Sequence, residues 1–137
     1  MKKRRPIPRP DWFAVRCIFS HQRERRRITT YEERVTIWRA VTASQAILLA
    51  EREARTYARW CNRLGGEVCR YLGLAESYET SLRRLVAGDE VFSSMRDSRL
   101  DGARYLARFF ATGRERVTRI RSGRRLREDA GGADTTR

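Results

Sequence analysis

The stretch that most constrains the fold is residues 31–61, where a short strand runs directly into a long helix. In residues 31–41 apolar and polar side chains alternate, and this period of two predicts a half-buried β-strand. Arg34 and Thr36 are predicted to form its polar outer face, and Trp38 is placed on the outer side as well. The buried face is predicted to carry Val35, Ile37 and Val41.

The helix that follows is predicted to begin at a capping box. Thr42 is followed three residues later by Gln45, so its hydroxyl can accept a hydrogen bond from the Gln45 backbone N–H while the Gln45 side chain reaches back to the N–H of Thr42. Apolar or amphipathic residues then recur at steps of three and four, at positions 43, 47, 50, 54, 57 and 61, which marks one helix face. Gly65 and Gly66 follow, so we expect the helix to end near Asn62.

One strand is predicted on each side of this unit. Residues 12–20 carry a continuous apolar face, and the charged residues 21–30 connect them to the next strand as a hairpin. The members of that face are Phe13, Val15, Cys17 and Phe19. Residues 67–77 are apolar on both sides, which predicts a strand that is covered on more than one side or central in the sheet.

The last third of the chain predicts one more strand and one more helix. Residues 76–88 leave two alternatives open, a bent continuation of the preceding strand or a short helix. Residues 90–97 are predicted to form the last strand, and residues 98–113 the second helix with Asp101 in its first turn. The apolar residues of the strand are Val91, Phe92 and Met95, and the core stripe of the helix is Ala103, Leu106, Ala107 and Phe110.

The predicted fold is therefore α+β, a four-stranded antiparallel sheet with two main helices on one face, in the order strand-strand-helix-strand-strand-helix. We expect residues 12–116 to form the domain, residues 1–11 a disordered basic arm and residues 117–137 a basic, mostly disordered tail. No apolar run is long enough to cross a bilayer. Three prolines interrupt the apolar core that a signal peptide needs, so we expect a cytoplasmic location without a membrane partner.

The net charge of +14 is concentrated at the ends of the chain. Residues 1–10 carry +5, residues 11–27 carry +3 and residues 114–137 carry +4, which leaves residues 28–113 with +2. The basic segments are candidates for weak, sequence-non-specific binding of nucleic acid or another polyanion. A merely solvated loop and an arginine bias of genome composition are the alternatives. The candidate contacts are Lys2, Lys3, Arg4, Arg5, Arg23, Arg25, Arg26, Arg27, Arg119, Arg121, Arg124 and Arg125.

No motif in the sequence points to an enzyme, a cofactor or a metal site. His21 is the only histidine, and it is predicted to lie in a charged loop without a nucleophile or carboxylate partner at a recognisable spacing. The three cysteines, Cys17, Cys61 and Cys69, show no Cys-x-x-Cys spacing, so buried and reduced thiols are expected. We therefore predict no catalytic, cofactor-binding or metal-binding residues.

One flank of the long helix is the candidate surface for a protein partner. Leu49, Thr56 and Trp60 form a stripe about 100° away from the core face at 3.6 residues per turn, and Trp38 is expected to extend it from the preceding strand. Large exposed aromatic side chains often mark partner sites. The alternative is that Trp60 packs at the edge of the core.

Several segments resemble a bacterial domain-of-unknown-function family of small α+β proteins. The most recognisable one is Tyr-Glu-Glu-Arg at residues 31–34, which leads into a helix with regularly spaced alanines. Further matching segments are residues 12–15, 71–75, 89–98 and 105–113, so the resemblance covers about residues 12–116. It implies an α+β fold and, for some members, toxin–immunity or accessory contexts. It implies no catalytic residues.

Two classes of function follow from these observations. The first is a protein-interaction module, such as a homo-oligomer or an accessory or immunity-type protein. The alternative is weak binding of nucleic acid through the Arg-rich ends. The first is favoured because the body of the chain is nearly neutral and shows no aromatic–basic groove of the kind that binds RNA.

Overall fold

The computed structural model describes residues 8–116, and the chain divides into two compact units between Ser94 and Met95. The first unit holds three strands that form one antiparallel sheet in the order β2-β1-β3, with a helix packed on one face. The second unit holds a short helix. The elements are β1 (Asp11–Arg23), β2 (Thr30–Ala40), α1 (Ala43–Leu64), β3 (Glu67–Glu79) and α2 (Gly102–Phe109).

The predicted four-stranded sheet is wrong, because residues 90–97 form no strand and the order is strand-strand-helix-strand-helix. The two adjacent apolar residues Val91 and Phe92 do not alternate with polar ones, so this segment has no apolar face to add to a sheet. Phe92 instead packs its ring against Tyr78, with the ring centroids 5.9 Å apart. Met95 is 96% exposed.

The helix predicted over residues 98–113 is α2, and it has only eight residues. Asp101 is its N-cap, because the Asp101 side chain accepts a hydrogen bond of 2.9 Å from the backbone N–H of Arg104. The predicted core stripe on this helix is wrong, since none of its residues is buried. Its aromatic side chains pack among themselves, with the Tyr105 ring against Phe109 and Phe110.

Helix α1 begins and ends close to where the sequence predicts. Thr42 is the N-cap and accepts from the Gln45 backbone N–H at 3.1 Å, while the Gln45 side chain accepts from the N–H of Val41 rather than from that of Thr42. The buried face carries small side chains at steps of four and three, which lets the helix approach the sheet closely. Its members are Ala46, Ala50, Ala54, Ala58 and Cys61.

The core lies between α1 and the central strand β1. Phe13, Val15, Cys17 and Phe19 of β1 are buried, as predicted from their alternation. The Phe19 ring meets the Tyr57 ring of α1 edge-on at 5.1 Å. All three cysteines are buried and free, as predicted.

Strand β2 is turned over relative to the prediction. The register pairs Trp38 with Phe13 and Thr36 with Val15, so the even-numbered residues of β2 share the face that α1 covers. Trp38 is therefore not outward, and its Nε1–H donates to Thr36 Oγ1 at 2.8 Å. Val35 and Ile37, predicted to be buried, are 46% and 44% exposed on the opposite face.

Strand β3 is an edge strand, so the expectation of a central strand is wrong, and the exposure of Leu72 and Leu74 contradicts a strand covered on both faces. Its pairing with β1 is interrupted between Cys17 and Phe19, and Gly73 near this irregularity has a φ of +80° that favours glycine. Cys69, Tyr71 and Ala75 lie on the side that faces the core, whereas Val68, Leu72 and Leu74 lie on the other side and are nearly half exposed. The apolar residues of β3 therefore lie on both sides without two-sided burial.

Candidate functional site

The face of the sheet opposite α1, here called the open face, keeps apolar side chains exposed along β2. Val35 and Ile37 lie on this face beside Arg16 and Ala14 of the central strand. Tyr31 follows them along the same side of β2 and is also exposed. Exposed apolar residues that lie side by side on a regular element are a common mark of a protein-interaction surface.

The segment that follows β3 covers only one end of the open face over β1 and β3, where the Phe92 ring packs against Tyr78. The guanidinium of Arg16 lies 5.0 Å from the centre of the Phe92 ring, and Ala14 is completely buried. Arg16 also binds Glu76 of β3 and donates to Glu33 of β2 at 3.2 Å. The cover therefore reaches the central strand, while β2 stays exposed at one side of the sheet and Leu72 and Leu74 of β3 stay exposed at the other.

Strand β2 also forms one edge of the sheet, so its outer edge has no neighbouring strand in the described part of the chain. On the other face, one flank of α1 lies over β2. Arg34 forms an ion pair with Glu53, which holds the pKa of the guanidinium above its usual value, and Tyr57 donates to Glu32. This flank and the open face meet at the β2 edge.

The predicted partner surface falls on that flank only in part. Leu49 and Thr56 lie on the same side of α1 as Glu53 and Tyr57, by their spacing of three and four residues. Trp60 is 54% exposed, and its ring stacks on Tyr57 at 6.2 Å, so it is both packed at the rim and accessible. Trp38 packs against the core on the α1 side.

A polar network that was not predicted from the sequence lies at the far end of the sheet. His21 belongs to β1 rather than to a loop, and its side chain is only 12% exposed. Its Nε2 lies 2.7 Å from Glu32 of β2, and its Nδ1 lies 3.1 Å from Glu67 of β3. The Tyr57 hydroxyl donates to the same Glu32 carboxylate at 3.1 Å. The network joins all three strands to α1.

A thiol beside this network lacks the properties of a nucleophile. Cys69 Sγ lies 3.9 Å from His21 Nε2, a spacing that resembles a cysteine–histidine pair. Burial, followed by the neighbouring Cys61, raises the pKa of Cys69 to about 12. Because the thiolate is the reactive form, this shift keeps the Cys69 thiol protonated and unreactive at neutral pH. The Asn62 side chain also fixes the Cys69 backbone, because it accepts from the Cys69 N–H at 2.7 Å and donates to the Cys69 carbonyl at 3.1 Å.

The chain therefore gives no positive sign of enzymatic activity within residues 8–116. A shallow pocket of about 430 Å³ lies beside the network, lined by Arg23, Cys61, Leu64, Gly65, Gly66 and Glu67. In the same residues, no group of three or more His, Cys, Asp or Glu side chains is placed to hold a metal ion. The packing and hydrogen bonds of the network fit a structural role.

The predicted polyanion contacts are divided between described and undescribed residues. Arg23, Arg25, Arg26 and Arg27 are exposed at the β1–β2 hairpin, and Arg23 lies 3.8 Å from Glu67. The remaining contacts lie outside the described residues, as do the predicted tail and most of the predicted arm. They are Lys2, Lys3, Arg4, Arg5, Arg119, Arg121, Arg124 and Arg125.

Among known proteins, no family model, no curated protein and no solved structure matches this chain. The resemblance to a domain-of-unknown-function family therefore stays a prediction. Within the described residues, neither helix combines the length and the apolar character that are needed to cross a bilayer.

Proposed function

We infer that this protein is a protein-interaction module and that its contact surface is the β2 side of the sheet. The observation that carries this proposal is the exposure of Val35 and Ile37, two β-branched residues at the centre of an edge strand. Burial of apolar area is the main favourable term in protein association. An edge strand adds backbone donors and acceptors that a partner strand can satisfy.

The remainder of the first unit supports this role. Its interior is closed by α1 and the β1 side chains, and the hydrogen-bonded network around His21 joins the strands to the helix. A surface held on such a scaffold is presented in one fixed shape, which reduces the entropy lost on binding. The exposed Trp60 ring on the adjoining flank of α1 adds an aromatic contact of the kind that is enriched at interfaces.

Site-specific photo-crosslinking in the cells that make the protein tests the proposal without assuming the partner. A benzoylphenylalanine residue in place of Val35 is expected to give a defined covalent product with a protein, which mass spectrometry identifies. The control replaces Leu48, an apolar residue on α1 that is more exposed than Val35. Failure to form a product at position 35, or equal products at both positions, would contradict an interaction surface on β2.

A further inference from the structure

The sequence of β2 is complementary to a second, antiparallel copy of itself. A second, antiparallel copy that pairs about Thr36 places every residue opposite the one equally far on the other side of Thr36. Val35 then faces Ile37, and Glu33 faces Arg39. Two-fold symmetry makes each of these pairs occur twice.

The geometry of the sheet places these four residues on the same face. In β2 the odd-numbered residues point to the open face, as the pairing of Val35 with Arg16 and of Ile37 with Ala14 shows. Directly opposed residues of antiparallel strands point to the same side with Cβ atoms about 5 Å apart. The symmetric pair would therefore join four apolar side chains in the middle and one ion pair at each end.

Neighbouring registers lack this complementarity. Pairing about Val35 sets Glu33 against Ile37, and pairing about Ile37 sets Val35 against Arg39. Each of these shifted registers places a charged residue opposite an apolar one, so the pair forms neither an ion pair nor an apolar contact. Only the register about Thr36 matches like with like along the open face.

The face toward α1 accepts the same register. There Arg34 stands opposite Trp38 twice, and a guanidinium beside an indole ring is a favourable contact. Arg34 already lies 4.2 Å from the centre of the Tyr57 ring, so its guanidinium occupies an aromatic environment within one copy. No like charges meet between residues 33 and 39.

We propose that the partner of this surface is a second copy of the chain, joined by antiparallel pairing of the two β2 strands about Thr36 into a six-stranded sheet. The proposal rests on the proposed function and specifies its partner. A perpendicular two-fold axis places both α1 helices on one face and makes the interface isologous. Strand addition satisfies the outer backbone groups of both edges at once.

A charge exchange between Glu33 and Arg39 tests the register. Glu33→Arg alone sets two arginines against each other at both ends, and Arg39→Glu alone sets two glutamates, so each variant should dimerise about tenfold more weakly or worse. An equimolar mixture of the two variants restores both ion pairs in a heterodimer. The double variant Glu33→Arg/Arg39→Glu restores them in a homodimer.

Analytical ultracentrifugation of the purified full chain measures these states against twice the 16.1 kDa mass of one chain. The matched controls are Glu79→Arg and Arg70→Glu on β3, the other edge strand, which should leave dimerisation unchanged. Glu33→Arg and the double variant both lose the contact between Arg16 and Glu33 within one chain. If the double variant nevertheless dimerises like the wild type, the weak dimerisation of Glu33→Arg results from the pairing between copies and not from a folding defect. Circular dichroism verifies that each variant folds.

A monomeric wild-type chain, single variants that dimerise like the wild type, or a mixture and double variant that both fail to recover would overturn the pairing. The photo-crosslink distinguishes this failure from failure of the proposed function. A product with a different protein, together with a monomeric purified chain, leaves the interaction module standing and removes the second copy as its partner.

Discussion

Helix α1 packs closely on the sheet through small side chains, so the substitution Ala50→Leu is a sensitive test of the fold. Ala50 is 1% exposed and belongs to the row of buried alanines that faces the sheet. Leucine and alanine are both good helix formers, so the substitution changes packing far more than helix propensity. Three added carbon atoms must either push the helix away from the sheet or adopt strained rotamers.

Overpacking of this kind costs about 1–3 kcal/mol. For a unit of this size, each kcal/mol lowers the melting temperature by about 4–8 °C, so a loss of about 5–20 °C is expected. Thermal unfolding followed by circular dichroism measures it. The control is Arg52→Leu, which adds a leucine at an exposed position of the same helix and should change stability by less than about 0.5 kcal/mol.

If Ala50→Leu melts within about 2 °C of the wild type while Arg52→Leu melts lower, the helix is rotated so that the alanine row does not face the sheet. If both variants melt like the wild type, the helix is not seated closely enough for an alanine to matter.

Two further predictions concern the thiols and the basic hairpin. All three thiols are buried, so they should react slowly with iodoacetamide at pH 8 and rapidly in denaturant, and rapid native labelling would contradict this placement. Burial also raises the pKa of Cys69 to about 12, so stability should fall as the pH rises from about 9 toward 12, because Cys69 ionises first in the unfolded chain. The full chain should bind duplex DNA weakly, and serine at Arg25, Arg26 and Arg27 should flatten the log–log salt slope by about 0.9 for each arginine that contacts phosphate. A slope that is unchanged in a filter-binding titration would show that the hairpin takes no part.

The local signals of the sequence located α1 well. A capping box and a pair of glycines act through neighbouring backbone atoms, so they are visible without tertiary structure. The confirmed hydrogen bond from Gln45 to Thr42 and the end of the helix at Leu64 reflect this. The apolar face of β1 was found for a related reason, because a central strand under a helix needs a continuous apolar row.

The faces of β2 could not be assigned from the sequence, because a period of two defines two faces without naming the one under the helix. In the structure, charged residues take the helix side since α1 supplies their partners. Glu53 pairs with Arg34, and Tyr57 binds Glu32. The helix positions of those partners follow from how α1 lies across the strand, which is a tertiary property.

His21 was misplaced for a similar reason. Its role depends on β1 extending to Arg23 and on a register that brings Thr30 and Cys69 opposite it, which places Glu32 and Glu67 at its ring nitrogens. Neither carboxylate is near His21 in sequence. The absent fourth strand is the converse case, since Val91 and Phe92 suited a strand locally while Phe92 found its contacts on Arg16 and Tyr78.

The wrong prediction of which β2 face is buried bears directly on the proposed interface. Its alternating pattern predicts that one face is buried, and the apolar one was the obvious choice. Within one chain, however, Arg34 and Glu32 occupy the helix side, and Val35 and Ile37 remain nearly half exposed. An apolar row on an edge strand exposes a protein to non-specific strand addition unless charge restricts the pairing. Here the flanking charges are opposite in sign and equally far from Thr36, so they favour one symmetric register and oppose the shifted ones. The alternation that gave the wrong buried face thus also places an apolar row and flanking opposite charges on the exposed face. The apolar row favours association with a second copy, and the charges select the register.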